Sequence, residues 1–471
     1  MTARALTTIG GRAAVGVIGL AASAALVGAA FTVPIADTTA ADRPAHVTPV
    51  PADAQAACPG GLLSLATGGT ATSLSTIGQA ATTAGGSSAL GSPTQLKASD
   101  VSGTGNDPIA YSVPAKKGAS SAPLIAAAQS ERNAGSEVNG IAAALCPEPV
   151  ADSWLSAGSA SLGETGLVLL TNPNAVAANV DLDVYSESGH LDAPGTQGIL
   201  VQPHSQKVVS LAGIAPDASA TVIHVTSHGG TVVADLQQSS VAGVTPQGVE
   251  VAGVTASPST HLVIPGVASS AAAQTQAASD DDSSALVLRV YVPGSKSAKI
   301  TVSTRAEQGS KGGVNPRTVT LDPGVVSEVP ITGLGDGTYT ITVDSSVPVV
   351  GSAKSTIVGS SGTDFAWYAA ARTLSGAVAI PVAHGPSGVL HLMNPGRSAV
   401  SLTLGGAGGG KKVAVGAGAS VGVPITKAGV ITVADAHGVY ASVGYRGDGL
   451  AASYTIAPPG ANASPLDVYT Q

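Results

Sequence analysis

The segment Gly418-Ala-Ser-Val-Gly422 matches the G-x-S-x-G pattern in which serine hydrolases carry their nucleophile, and Ser420 would take that role. The pattern supports catalysis only on a sharp strand-to-helix turn, with Asp and His partners following in order. No helical pattern follows Ser420, and a chain rich in Gly, Ala and Ser produces such a match by chance. We therefore predict no catalytic residue, and that the protein is not an enzyme.

His224 and His228 are the best-spaced pair of candidate metal ligands. They flank the end of a predicted strand, and residues four apart in a strand point to the same face. Two zinc ligands are conceivable there, and Asp235 is close in sequence, but no third ligand has a convincing spacing. We expect surface histidines and no metal site.

Two acidic segments offer oxygens that calcium prefers, Asp280-Asp-Asp282 and Asp181-Leu-Asp183. The first lacks the glycine and the spaced glutamate of an EF-hand loop. The second alternates along a predicted strand, so both carboxylates should face water. We predict no ion site and no cofactor.

Trp154, Trp367 and Tyr368 are candidates for a sugar-stacking platform. Two of them occupy a segment that recurs between repeats, where a large residue fills the seam between neighbouring domains. The chain has few aromatic residues, only two Trp and two Phe. Packing is therefore the favoured interpretation for all three.

Composition excludes several other classes of function. The net charge of -8 leaves no basic patch for nucleic acid, and no phosphate-cradling loop or dinucleotide fingerprint is visible. Valine and threonine are abundant and favour strands, because β-branched side chains pack well on a pleated surface. With 60 Gly and 30 Pro, turn signals separate the apolar runs.

The N-terminus predicts export. Arg4 and Arg12 precede an uncharged stretch that runs from Ala13 to Ile35. This stretch has the length of a membrane span, and we expect an uncleaved signal-anchor over residues 1–35, with a cleaved signal peptide as the alternative. The body would then lie outside the cytoplasm.

Cys58 and Cys146 are the only cysteines, and both follow the apolar stretch. Two cysteines in an oxidising compartment most simply form one disulfide. Two free thiols are the alternative, whereas zinc would need more ligands.

The chain repeats itself after about residue 122. A strand that ends in Asn-Pro or Val-Pro recurs at Pro173, Pro293 and Pro395. A linking segment also recurs, with acidic residues in corresponding places at Glu137, Glu250 and Asp364. Short alternating runs separated by turns predict half-buried antiparallel strands.

The predicted fold class is therefore all-β, with tandem immunoglobulin-like antiparallel sandwiches after the N-terminal helix. The alternative is a closed ring or a propeller-like arrangement of the repeats. The predicted domains are the signal segment 1–35, a stalk 36–57, a disulfide-bonded N-terminal β region 58–150, and repeats 151–262, 263–378 and 379–471. The acidic segment 271–284 is expected to be a solvated loop in the second repeat.

The chain resembles an actinobacterial family of exported envelope proteins, domain-of-unknown-function family 5719. The resemblance rests on the N-terminal anchor and on five motifs: Cys58-Pro-Gly, Gly140-Ile-Ala-Ala-Ala-Leu-Cys146-Pro, Asp152-Ser-Trp154, Leu169-Leu-Thr-Asn-Pro173 and Asp364-Phe-Ala-Trp367. It implies export and an actinobacterial source, and it brings no activity or site residues.

These observations predict a non-catalytic scaffold of the cell envelope, a membrane-tethered rod of β-domains that presents edges or loops to other components. The expected partners are the membrane, through the N-terminal helix, and an envelope protein or cell-wall glycan. The alternative function is an accessory subunit of a glycan-assembly enzyme, or a glycan-binding protein.

Overall fold

The structure is a computed structural model that describes residues 45–47, 52–65, 74–102, 106–119, 121–279, 285–310, 312–360, 362–460 and 466–468. The predicted signal segment 1–35 lies outside them. No helix among the described residues is long and apolar enough to cross a membrane. The described chain is almost entirely β, as the sequence predicts.

The first nine strands have two to six residues, the next two are longer, and all of these except the first belong to an N-terminal unit that covers residues 54–146. They are β1 (Ala45–Val47), β2 (Ala54–Cys58), β3 (Leu63–Leu65), β4 (Leu74–Thr76), β5 (Ala81–Gly86), β6 (Thr94–Gln95), β7 (Lys97–Ala98), β8 (Val101–Ser102), β9 (Ile109–Val113), β10 (Ile125–Ala134) and β11 (Asn139–Cys146). Sheet β2-β9-β6 packs on sheet β11-β10-β5 through a common apolar cluster.

Repeat 1 covers residues 152–252. Its elements are β12 (Asp152–Leu155), β13 (Glu164–Asn172), β14 (Ala178–Ser186), β15 (Gly189–Leu191), β16 (Ile199–Val201), β17 (Ser205–Ser210), α1 (Leu211–Ile214), β18 (Thr221–Gly229), β19 (Val233–Ala242) and β20 (Thr245–Ala252). Buried and more exposed residues alternate along β14, the period of two expected for a strand with one face in the core.

Repeat 2 covers residues 259–369. Its elements are β21 (Ser259–Ser269), α2 (Ala271–Ser279), β22 (Leu286–Tyr291), β23 (Ala298–Ala306), β24 (Arg317–Leu321), β25 (Val326–Pro330), β26 (Gly337–Gly359) and β27 (Gly362–Ala369). The first part of β26 pairs with β21 and β23, and its later part pairs with β22 and β27. One long strand therefore serves both sheets.

Repeat 3 covers residues 378–455, and a last short strand follows it. The strands are β28 (Val378–Val382), β29 (Val389–Met393), β30 (Val400–Gly406), β31 (Lys411–Val415), β32 (Ser420–Pro424), β33 (Gly429–Val433), β34 (Tyr440–Gly447), β35 (Leu450–Thr455) and β36 (Leu466–Val468). Strand β36 pairs antiparallel with β1, and this pair belongs to a compact unit of its own.

The three repeats share one plan of two facing sheets. One sheet has the order β12-β18-β14, β21-β26-β23 or β28-β33-β30. The other has the order β17-β13-β19-β20, β25-β22-β26-β27 or β32-β29-β34-β35. A separate apolar cluster fills the space between the two sheets of each repeat.

The last strand of each unit lies at the centre of residues 50–464. We call β11, β20, β27 and β35 the hub strands. Each contacts the next, and β35 contacts β11, so the series closes on itself. Three residues of the N-terminal unit, Ala128, Ile141 and Ala143, also share an apolar cluster with repeat 3. The closed alternative therefore describes the arrangement, and the extended rod expected from sequence is wrong.

Two boundaries also differ from the sequence prediction. Residues Ala54–Cys58 form strand β2 rather than the end of the predicted stalk, because they pair with β9 and are largely buried. In the predicted acidic loop 271–284, residues Ala271–Ser279 form helix α2. Alanine and glutamine favour a helix, and the Ser270 hydroxyl accepts a hydrogen bond from the Ala273 amide at its start. Residues 280–284 lie outside the described residues.

Candidate functional site

The side chain of Asp364 lies on the axis of the hub and accepts hydrogen bonds from all four hub strands. Its Oδ2 accepts from the amides of Ile141 at 2.9 Å and Ala451 at 3.2 Å. Its Oδ1 accepts from Val249 at 3.1 Å and from Phe365 at 3.0 Å. One carboxyl group thus ties together strands from four separate units.

Glu250 repeats this arrangement one level along the axis. Its Oε1 accepts hydrogen bonds from the amides of Ala143 at 3.2 Å and Val251 at 2.9 Å. Its Oε2 accepts from Ser453 at 3.1 Å. These donors lie two residues beyond the donors to Asp364 in their own strands. The strands β11, β20 and β35 therefore run in the same direction along the axis.

The carboxyl groups of Asp364 and Glu250 accept hydrogen bonds from amides at the free edges of the hub strands. Each hub strand is the last strand of its sheet, so within the described part of the chain one edge of its backbone has no strand partner. Buried amides without an acceptor are costly, and here the acidic side chains supply the acceptors. Two glycines allow the close approach: a Cβ on Gly140 would lie 2.6 Å from Asp364 Oδ1, and one on Gly248 2.5 Å.

Burial dominates the titration of the hub acids. It raises the pKa of Asp364 to about 8, although four amide donors act in the opposite direction. It raises the pKa of Glu250 well above its usual value, and the charge of Asp364 adds to this increase. Both groups therefore take up a proton more readily in the folded chain than in the unfolded chain.

A cleft opens on the axis beyond Glu250, where the four hub strands end. The cleft is small, with about 30 Å³ of space for water-sized groups, and its mouth opens to solvent. Leu145, Ala369 and Thr455 at the ends of their hub strands line it, together with Gly253, the residue that follows β20. The indole of Trp367 forms part of the wall. The cleft exists only because the four units close around the axis.

Asp235 lines the same cleft and is fully buried. Neither of its carboxyl oxygens has a hydrogen-bond partner in the described part of the chain. Burial raises the pKa of Asp235 to about 8. Arg372, an exposed residue, also lines the cleft. The charge of Glu148 also interacts with Arg372. The arrangement thus places one carboxyl group and one cationic side chain at the cleft.

The predicted disulfide between Cys58 and Cys146 is present. It joins β2 in one sheet of the N-terminal unit to β11 in the other. Both residues are buried in the cluster between these sheets. Because β11 is a hub strand, the disulfide also ties the hub to the second sheet of the N-terminal unit.

Trp154 lies in the seam between repeats 1 and 2, as its position in a linking segment predicts. It shares an apolar cluster with Tyr291, Val326 and Val350 of repeat 2. Its indole stacks on His224 with ring centroids 4.1 Å apart, so the ring is covered rather than presented as a platform.

Trp367 and Tyr368 are also buried. The Trp367 indole donates a hydrogen bond to Gln238 Oε1 at 2.9 Å, and Arg289 lies 4.5 Å above its ring. Tyr368 accepts a hydrogen bond from Ser355 at 3.3 Å. Trp367 therefore packs in the seam and, through its position in the cleft wall, also contributes to the candidate site.

The two candidate histidine ligands pair with separate carboxylates. His224 Nε2 lies 2.7 Å from Asp152, and His228 Nε2 lies 3.8 Å from Asp181. Asp235 is not beside them, since it lies in the other sheet of repeat 1. In the described residues, no three His, Cys, Asp or Glu side chains are grouped to hold a metal ion. Asp280-Asp-Asp282 lies outside those residues.

Ser420 begins strand β32 and is buried in the seam between repeats 2 and 3. Its hydroxyl lies 2.7 Å from the hydroxyl of Thr340. A short strand follows it rather than a helix, so the elbow that the G-x-S-x-G pattern requires is not formed.

The sequence pointed to the hub segments without revealing their role. It aligned Glu137 with Glu250 and Asp364, but Glu137 is exposed in the turn after β10, whereas the other two meet on the axis. The sequence suggests Asp235 only as a possible zinc ligand. An acidic residue inside an otherwise apolar strand could have indicated the hub and the cleft. Acidic side chains are rarely buried unless they have a binding partner.

A protein-family model described as 'Family of unknown function (DUF5719)' matches residues 100–426 of the chain. The match spans repeats 1 and 2, much of the N-terminal unit and most of repeat 3. No curated protein and no solved structure matches the chain. The chain belongs to this family, in agreement with the resemblance seen in its motifs.

Proposed function

We propose that this member of the DUF5719 family is a non-catalytic scaffold of an actinobacterial cell envelope. An N-terminal signal-anchor over residues 1–35 holds it at the membrane, and the closed body lies outside the cytoplasm. In this proposal each repeat is an immunoglobulin-like sandwich whose last strand contributes to the hub. The partners are an envelope protein or cell-wall glycan, and no nucleic acid takes part.

The closure of four units around the hub is the observation that carries this proposal. Each unit contributes one edge strand, and Asp364 joins all four through main-chain amides. Such a body holds its outer loops in fixed relative positions, which suits a platform for other components. The extended rod is not part of the proposal.

Two further features support an exported protein. The chain's only two cysteines form a buried disulfide, and such bonds persist in oxidising compartments. The sequence places positive charge before an apolar stretch of spanning length. Cleavage after that stretch would release the same body, so secretion is the alternative location.

A direct test of location uses intact cells that express the full-length chain with a C-terminal tag. Added protease should remove the tag without cell lysis, and the N-terminal peptide of the purified chain should retain residues 1–35. A tag that stays protected until lysis would contradict export. A mature chain that begins after residue 35 would replace the anchor with a cleaved signal.

The alternative function is an accessory subunit of a glycan-assembly enzyme, or a glycan binder. It is favoured by the aromatic cluster at the seam of repeats 1 and 2. Tyr185 stacks on Tyr291 at 4.3 Å, and the exposed ring of His190 lies 5.2 Å from Tyr185. Aromatic faces with nearby carboxylates such as Asp183 suit sugar hydroxyls and ring faces.

Cross-linking of the tagged chain in cells, followed by capture, separates these two functions. Reproducible capture of one envelope enzyme that is lost in a Tyr185→Ala variant would favour the accessory subunit. A Leu200→Ala variant, which truncates an exposed side chain elsewhere in repeat 1, is the control. Capture of several envelope components that both variants retain would favour the scaffold. Recovery of cytoplasmic proteins alone would contradict both.

A further inference from the structure

The hub presents main-chain amides to its axis in successive levels. The first level binds Asp364 and the second binds Glu250, two residues further along the strands. Alternate amides of a strand point the same way, so the next set to face the axis comes two residues later. That third level consists of the amides of Leu145, Gly253, Ala369 and Thr455.

All four third-level residues line the axial cleft. The pairing of β11, β27 and β35 with their neighbours continues through this level without a register shift. In repeat 3 the next amide, that of Ile456, bonds to Ala441 in the neighbouring strand, as the alternation requires. The amide of Thr455 is therefore directed away from that neighbour and toward the axis.

Asp235 is the acidic residue nearest the third-level amides, but its carboxyl group does not accept hydrogen bonds from them. Asp235 Oδ1 lies 3.7 Å from the position that a Cβ on Gly253 would take. Its two oxygens nevertheless have no hydrogen-bond partner within the described residues. A fully buried carboxyl group without partners is costly, and a bound molecule in the cleft would supply the missing bond.

We propose that the axial cleft binds the carboxylate of a small ligand, which the third-level amides hold as the first two levels hold Asp364 and Glu250. Asp235 bonds to the same carboxylate, and the guanidinium of Arg372 at the cleft lining favours its negative charge. The apolar walls at Leu145, Ala252 and Trp367 accept a small apolar group beside it. The ligand is a free organic acid or the C-terminal carboxylate of a peptide, which share this chemistry.

The charges around the cleft are compatible with an anion. Burial raises the pKa of Asp235 to about 8, so at neutral pH the O–H of its neutral carboxyl group can donate a hydrogen bond to the ligand oxygen. Burial also raises the pKa of Glu250, the acid on the hub side of the cleft. This binding site is a property separate from the proposed scaffold function. It would be present whether the protein is anchored at the membrane or secreted.

Backbone amide resonances of the isotope-labelled full-length chain provide the test. We expect saturable shifts of the amides of Leu145, Gly253, Ala369 and Thr455 on titration with acetate. N-acetylglycine tests the peptide carboxylate, and N-acetylglycinamide is the control without the charge. Tighter binding of N-acetylglycine than of acetate would indicate a peptide C-terminus, and the reverse a free acid. Absence of shifts with both acids, or equal shifts with the amide, would overturn the proposal.

Two substitutions at Gly253 test the role of its amide. One removes the amide hydrogen and the other keeps it as the matched control. Gly253→Pro lacks the amide hydrogen and should weaken binding roughly tenfold or more, because hydrogen bonds to charged groups are strong. Gly253→Ala keeps the amide, and its Cβ would make only an ordinary contact with Asp235 at 3.7 Å. Equal affinity of the two variants would contradict the site. If the proline variant does not fold, the titration of the unaltered chain still decides.

Discussion

The hub axis and the seam between repeats 1 and 2 both bury ionisable side chains, but they satisfy them differently. At the hub, Asp364 accepts hydrogen bonds from neutral main-chain donors, and no cationic side chain of the described residues is among its partners. At the seam, Arg289 donates to Glu328 at 2.8 Å and to the carbonyl oxygens of Gly158 and Thr221. The first arrangement joins four strands through one acceptor, whereas the second joins two repeats through one donor.

This difference has consequences for stability. Loss of Asp364 leaves several buried amides without their acceptor at once. Loss of Arg289 leaves Glu328, which is 34% exposed and can turn to water. A carboxyl group held by neutral donors also responds to pH over the ordinary range, while a guanidinium stays charged. The hub should therefore be the more sensitive region.

Asp364→Ala should have the largest effect. It removes the acceptor of four buried amides, and each unsatisfied donor costs about 1–3 kcal/mol. We expect the free energy of unfolding to fall by about 5 kcal/mol in urea denaturation. Asp364→Asn, which keeps one acceptor oxygen, should lose less. A loss below about 1 kcal/mol for the alanine variant would show that the hub does not hold the units together.

Arg289→Met should have a smaller effect at the seam. The change removes the donor to two buried carbonyl groups and the cation above Trp367. Breaking a buried pair costs roughly 3–5 kcal/mol, and the exposure of Glu328 places the expected loss near the lower end, at about 3 kcal/mol. The same denaturation measurement applies, with Arg317→Met at an exposed position as the control. A loss equal to that of Asp364→Ala would remove the contrast between the two regions.

Stability should fall as pH rises from about 4 to about 8. The hub acid Asp364 and the cleft acid Asp235 have folded-state pKa values raised to about 8, so between these limits the folded chain binds more protons than the unfolded chain. Their contribution is complete at low pH and is lost as pH passes through about 8. Each group adds a slope of about 1.4 kcal/mol per pH unit.

The slope is measured by denaturation at several pH values. Asp364→Asn should reduce the slope, since the amide does not titrate while Asp235 still does, and Arg289→Met should leave the contribution of these two acids unchanged. A slope that is identical in the unaltered chain and in Asp364→Asn would contradict the role assigned to the hub acid.

Asp344→Asn should have the smallest effect. Asp344 pairs with His261 at 2.7 Å, but the two side chains are 65% and 43% exposed. Exposed ion pairs contribute little, so the expected change is below about 0.5 kcal/mol. This variant calibrates the other measurements, and a loss of several kcal/mol would indicate that the comparison of buried and exposed charges does not hold for this protein.

Much of the fold could be predicted from the sequence. The alternation of apolar and polar residues, as in β14, is a local property of the sequence, so it predicts the strands. The recurring Asn-Pro and Val-Pro turns predict the repeats. The pairing of Cys58 with Cys146 followed from their number. Helix α2 was missed because the acidic residues after it suggested a solvated segment, although Ala271–Ser279 is rich in alanine.

The hub could not be predicted because it depends on contacts between residues far apart in sequence. The amides of Ile141 and Ala451 meet at Asp364, yet nothing local to either residue indicates that partner. A one-residue difference in alignment also changes which side chain faces the axis, since strand residues alternate. The sequence alignment therefore grouped Glu137 with the two hub acids, while the structure separates it from them.

Hydrogen exchange at the hub amides tests the central claim, that Asp364 closes four units into one body. In the unaltered chain, the amides of Ile141, Val249, Phe365 and Ala451 should exchange only through global unfolding, with one common free energy. In Asp364→Asn all four should lose protection together, although they lie in four different units. Independent exchange of the four amides, or protection unchanged by the substitution, would contradict the account.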